Sequence, residues 1–150
     1  MATFNFRLQS YLELKKQQEE DVKNKLGKAV MRLEKERKKL FLLEMEKDRY
    51  IEEYKDKKRI NIKKIREYAE YIKIVAGRIE LQIENVKYIQ SNVDKIKEEL
   101  IDAMRDRKIV EKLRERKYEL YLKEINRKEQ IYVDEIVSYK ESIKQGEVNG

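Results

Sequence analysis

The chain has 150 residues, with 37 Lys and Arg against 30 Asp and Glu, a net charge of +7, and 45% charged beside 40% apolar residues. Charge at nearly twice the usual globular share leaves either disorder or strong amphipathicity, and regularly spaced apolar residues exclude disorder. With no Cys and no His, the chain lacks a disulfide framework, a thiolate nucleophile, a Zn–thiolate site and the commonest general base.

The remaining composition points the same way. There is no Pro, and Gly occurs only at Gly27, Gly77, Gly146 and Gly150, so little interrupts a helix. No glycine-rich phosphate loop and no nucleophile elbow are present. Abundant carboxylates lie among lysines and arginines, as in solvated helix faces carrying i,i+4 ion pairs. The expectation is a non-enzymatic chain with no catalytic residue, no metal and no cofactor. Uncharged stretches such as Leu40 to Leu43 are too short to span a membrane. The opening Met1 to Arg7 is too polar for a signal peptide, which favours the cytoplasm.

In chain order, the first predicted helix covers about residues 4–57. Alternating steps of three and four give Val22, Leu26, Ala29, Leu33, Glu36, Leu40, Leu43, Lys47, Tyr50 and Tyr54, broken by Glu36 and Lys47. Upstream, Phe4, Leu8 and Tyr11 open the same phase, weakened by Lys15 and Gln18. A turn is expected at about 58–61, in a charged run from Lys55, with Asn61 placed to cap a helix beginning at Ile62.

The second predicted helix covers about 62–144, leaving a frayed tail at 145–150. Its seam runs through Ile65, Tyr68, Ile72, Val75, Ile79, Gln82, Val86, Ile89, Val93, Ile96, Leu100, Ala103, Arg107 and Val110, broken by Gln82 and Arg107. It then slips by about one residue and resumes at Tyr118, Leu122, Ile125, Glu129, Tyr132, Ile136, Tyr139 and Ile143. Such sustained 3-4 spacing is a coiled-coil signature. The fold class is all-α: one coiled-coil domain over residues 1–150, two long helices in an antiparallel hairpin, with short helices allowed near the bend. One unbroken helix that dimerises is the alternative. About 50 residues precede the turn and about 85 follow it, ~75 and ~125 Å of helix. Helix two therefore either overhangs helix one or breaks, and Gly77 is the natural break.

Two basic clusters stand out. Lys55, Lys57, Lys58, Arg59, Lys63, Lys64 and Arg66 surround the turn, and Arg105, Arg107, Lys108, Lys112, Arg114, Arg116 and Lys117 follow later, interleaved with Asp106, Glu111 and Glu115. Basic stripes can serve nucleic acid or anionic lipid, but the interleaved acids favour a solvated face or a protein partner for the second. Ten tyrosines against three phenylalanines suit half-buried seams and interfaces. With Tyr68 on the seam, Tyr71 should face outward.

Three segments carry a family resemblance: the opening FNFRLQSYLELKKQQEE, the middle IREYAEYIKIVAGRIELQ and the closing RDRKIVEKLRERKYELYLKEINRKEQIYVDEI. Together they resemble the FliJ family of bacterial flagellar export proteins, in order and over nearly the whole chain. The third is the most specific, through Arg107-Lys108, Glu111, Lys112, Leu113, Glu115, Tyr121, Glu124, Glu129-Gln130 and Asp134-Glu135. The resemblance implies a stalk-like antiparallel coiled coil of the flagellar type III export apparatus. Its expected partners are a hexameric export ATPase, a membrane export-gate protein and export chaperones, with no nucleic acid. Its expected place is the cytoplasm, peripheral at the inner face of the membrane through those partners.

By the resemblance, the ATPase-facing candidates are Phe6, Leu8 and Leu12 with Arg107, Glu111, Arg114, Glu115 and Glu124. The gate-facing candidates are Tyr71 and Val75, and a surface patch comprises Leu43 and Tyr50. Arg78 stands where relatives carry a small residue. Alternatives are the stalk protein of a virulence-type injectisome, and a basic coiled-coil rod binding nucleic acid or anionic membrane.

Overall fold

The structure is a computed structural model that describes residues 3–56 and 61–149. Among the described residues there are two helices and no strand: α1, Gln9–Lys55, and α2, Ile62–Asn149, of 47 and 88 residues. They pack against each other as a helical hairpin. The turn expected at 58–61 lies, Asn61 excepted, outside the described residues. Asn61 is the expected cap: its Oδ1 accepts a hydrogen bond from the Lys64 backbone N–H at 2.9 Å, satisfying one of the donors a helix start leaves unpaired. Asn61→Ala should cost about 1 kcal/mol of α2 stability, read as faster amide exchange over the first turn with exchange in the middle of α2 unchanged.

Three boundary details differ from the sequence reading. Helix α1 begins at Gln9 rather than near residue 4, where the Gln9 N–H bonds the Phe6 carbonyl at 3.0 Å. Residues two apart point the same way in an extended segment and nearly opposite ways in a helix. Outside the helix, Phe6 enters the core while Phe4 packs on the same cluster. Helix α2 runs on to Asn149 instead of fraying at 145, Gly146 keeping a backbone without positive φ. It is also continuous through Gly77, and no short helices flank the turn among the described residues. The cost of a glycine, ~1 kcal/mol, is outweighed by burial of Val75 and Ile79 on either side, each worth about 1.5–3 kcal/mol.

The chain divides into two compact units. One comprises Gln18–Ala103. Within it the helices are antiparallel: Lys25 pairs with Glu99 at 3.2 Å, Arg37 donates to Gln90 at 2.7 Å, and Tyr50 stacks on Tyr71. Its core is Leu33, Ile89 and Val93, with Leu26, Ala29, Val30 and Val86 packed against them. Seam residues Val22 to Tyr54 on α1 and Ile65 to Ala103 on α2 are all buried or half-buried.

Two of the three polar interruptions of that seam, Glu36 and Gln82, meet. Glu36 Oε2 accepts hydrogen bonds from Gln82 Nε2 at 2.7 Å and Asn85 Nδ2 at 3.1 Å, and the Glu36 carbonyl accepts a second from Gln82 at 2.9 Å. Lys39 lies 3.3 Å from the same carboxylate. A polar pair at core positions fixes register, because a slip leaves each partner unmatched. The Gln82 hydrogen bond, then Lys39 and Arg32, hold the Glu36 carboxyl below its ordinary value of 4.5 against the opposing effect of burial. A depressed folded-state value stabilises the fold above the unfolded value, and the contribution fades as pH falls through the folded value. In urea titrations Glu36→Gln should therefore be less stable than the parent at about pH 7, and the gap should narrow as pH falls below the ordinary value of 4.5. A gap that persists in acid would mean that the ionised state contributes nothing.

The other unit comprises residues 1–17 and 104–150. Its helices are also antiparallel, with Lys15 3.9 Å from Asp106 and Arg114 Nε donating to Gln9 Oε1 at 3.1 Å. Its core is Phe6, Leu12 and Val110. The buried α1 position is thus Leu12, at 2% exposure, while Leu8 and Tyr11, which the sequence phase favours, are exposed. Stepping back from Val22 by four lands on Gln18, which is exposed; the structure steps back by three to Glu19, which is buried. A charged residue on the true seam shifted the apparent phase. Beyond Ile125 every residue of α2 through Val148 is exposed, so within this unit helix two overhangs.

Candidate partner-binding faces

The non-helical segment before α1 lies against α2 and builds the first face. Phe4 meets the Tyr118 ring edge-on at 5.2 Å and the Tyr121 ring at 5.4 Å, and the Arg114 guanidinium sits 5.6 Å over the Phe4 ring. Beside them opens a groove of about 840 Å³, lined by residues 3–8 with Leu113, Lys117, Leu120 and Tyr121. Its charged lining residues, Arg7 and Lys117, are both cationic. A groove of this size with an apolar floor and a cationic rim suits an apolar side chain flanked by carboxylates.

The eight candidates for this face divide by burial. Phe6 and Leu12 are core residues, so they support the face from beneath. Arg107 Nη1 is 2.7 Å from Glu111 Oε2, and both side chains are at most about one-third exposed. Arg114 is engaged by Gln9 and Phe4. Glu124 is paired with Arg127 at 2.9 Å, which lowers its carboxyl below the ordinary value. Leu8 and Glu115 are exposed.

A second face lies in the Gln18–Ala103 unit. Tyr50 stacks on Tyr71 at 5.6 Å with 14° between ring planes and tilts against Tyr68 at 6.2 Å, while the Arg49 guanidinium lies 5.3 Å from the Tyr50 ring. The Glu53 carboxylate beside Tyr68 raises its phenol above 10.0. Tyr71 is 51% exposed, as its position off the seam requires. Val75 is 2% exposed and lies in the core, Leu43 is half-buried, and Arg78 is exposed. The structure therefore unites Tyr50 with Tyr71 and puts Val75 beneath the surface.

Other exposed residues escaped the sequence reading. Ile74, Leu81 and Tyr88 are all more than half exposed, and their seven-residue spacing, one position before the seam, was the available signal. Phe4 with Tyr118 and Tyr121 escaped too, because α2 contacts there a segment that is not helical. No metal-ligating group of three or more acidic, His or Cys residues occurs among the described residues. No helix there is long and apolar enough to cross a membrane.

The fold is that of the resemblance, and a direct comparison decides the family: the family described as Flagellar FliJ protein matches residues 4–145. The chain belongs to the FliJ family. It is thereby a flagellar, type III export-related component, of a family that is not enzymatic. Neither a curated protein nor a solved structure matches it.

Proposed function

We propose that this FliJ-family chain is a central stalk for the flagellar export ATPase, promoting assembly and activity of its hexameric ring and coupling it to the export gate and chaperones. The observation that carries this reading is the family match across residues 4–145. The unit holding both ends of the chain adds physical support. Its groove offers apolar floor and cationic rim, and its surface mixes both charges, so contacts with ring subunits are steered by electrostatics and remain reversible. The Tyr50–Tyr71 face serves the membrane gate protein, with Val75 holding Tyr71 in place from below. The protein then works in the cytoplasm at the inner face of the membrane, reaching it through partners.

The test is ATP hydrolysis by the cognate export ATPase, with and without this protein, at low and moderate salt. Stimulation with increased hexamer formation is expected, weakening as salt rises. The double reversal Arg114→Glu with Glu115→Arg should reduce the low-salt stimulation by roughly tenfold. Arg107 is a poorer probe, since reversing it sets two carboxylates together in a half-buried site. Wild-type stimulation by the reversed protein would remove the stalk assignment.

A further inference from the structure

The α2 extension beyond Ile125 continues the coiled-coil seam, and nothing among the described residues covers it. Ile125, Glu129, Tyr132, Ile136, Tyr139 and Ile143 alternate in steps of four and three, and each from Glu129 onward is exposed. In heptad terms Glu129, Ile136 and Ile143 occupy the first core position, and Ile125, Tyr132 and Tyr139 the second. Most helical stability in proteins comes from packing of an apolar face, and here that face is exposed.

The charges beside the seam indicate which partner. Polar bonds within the extension lie on the outer face: Glu124 with Arg127 at 2.9 Å, and Gln130 with Asp134 at 3.0 Å. The seam-flanking residues Glu135 and Lys140 make no bond within the described chain. They stand five apart, at the two flanking positions that face each other between parallel, in-register helices. Glu135 of one chain therefore meets Lys140 of a second copy, twice over by symmetry, whereas an antiparallel pair centred on this seam sets Glu135 against itself. Lys128 precedes Glu129 at the position that flanks the same core layer from the other helix, so the core glutamate also has a cation across the interface. We infer that residues 125–143 form a parallel, in-register coiled coil with a second copy of this chain.

This inference goes beyond the stalk reading and its test contains no ATPase, so either can fail without the other. Sedimentation velocity of the full chain, from about 1 to 200 μM at moderate salt, should show a monomer of 18.4 kDa passing to twice that mass as concentration rises. Ile136→Asp should weaken dimerisation at least tenfold while circular dichroism shows the rest of the chain folded. Glu135→Lys should weaken it severalfold, and Glu135→Lys with Lys140→Glu should restore it. A monomer throughout would overturn the inference and leave the seam to a different protein. A dimer indifferent to Ile136→Asp, or one not rescued by the charge exchange, would overturn the contact or its orientation.

Discussion

Val93→Asp is expected to unfold the Gln18–Ala103 unit at ordinary temperature. Val93 is 1% exposed and packs with Leu33 of α1 and with Ile89 of its own helix. The substitution discards the valine's burial, about 1.5–3 kcal/mol, and puts a carboxylate into an apolar cluster. Such a group must either ionise without a partner or bind a proton, and both alternatives destabilise. A loss of at least about 3 kcal/mol is a large part of the 5–15 kcal/mol typical of a whole domain. Helical ellipticity and the urea midpoint should both collapse. Leu81→Asp is the internal control: Leu81 is 74% exposed on the same helix, and its replacement should change stability by less than about 0.5 kcal/mol. Equal effects from the two would mean that the seam is not where the core lies.

That contrast also shows why the hairpin was legible in advance. Heptad spacing is a property of the backbone geometry, since side chains three and four apart share a face whatever their identity. From Val22 to Tyr54 and from Ile65 to Val110 it named the covered positions, including the polar ones. Glu36 and Gln82 read as separate interruptions on two helices, and nothing in either helix alone says that they meet. Their pairing depends on how far one helix has slid along the other, a quantity that periodicity leaves open and that the Glu36 hydrogen bonds help to set. The same limit explains the error of phase before Val22. Glu19 is buried and lies 3.5 Å from Lys23, and a charge at a core position is invisible to a pattern built from apolar residues.

The functional faces were less legible for a related reason. An outward Tyr71 followed from its place beside Tyr68, but its stacking on Tyr50 joins residues of different helices. Val75 is on the seam by spacing and in the core by structure, so a partner can feel it only through the residues above it. The Phe4–Tyr118–Tyr121 cluster depends on a non-helical segment, for which helical periodicity gives no guidance. Family resemblance proposes candidate residues near both termini, while burial decides which of those side chains are accessible.

Leu12 is where that distinction has its largest consequence. Its side chain is 2% exposed, in contact with the cluster of Phe6 and Val110, so it cannot itself touch a ring subunit. Leu12→Ala should cost about 2–5 kcal/mol through lost burial and the cavity left behind, a loss confined to the unit of residues 1–17 and 104–150. Amide exchange should accelerate over residues 9–17 and 104–121, while the Leu33–Ile89–Val93 region keeps its protection. The groove floor depends on Phe4 and Phe6 being held against α2, so ATPase stimulation should fall with the local order. Leu8→Ala removes an exposed side chain from the groove wall, and should lower stimulation without changing exchange. If both variants accelerate exchange, Leu8 is structural as well; if neither lowers stimulation, the ATPase does not use this face.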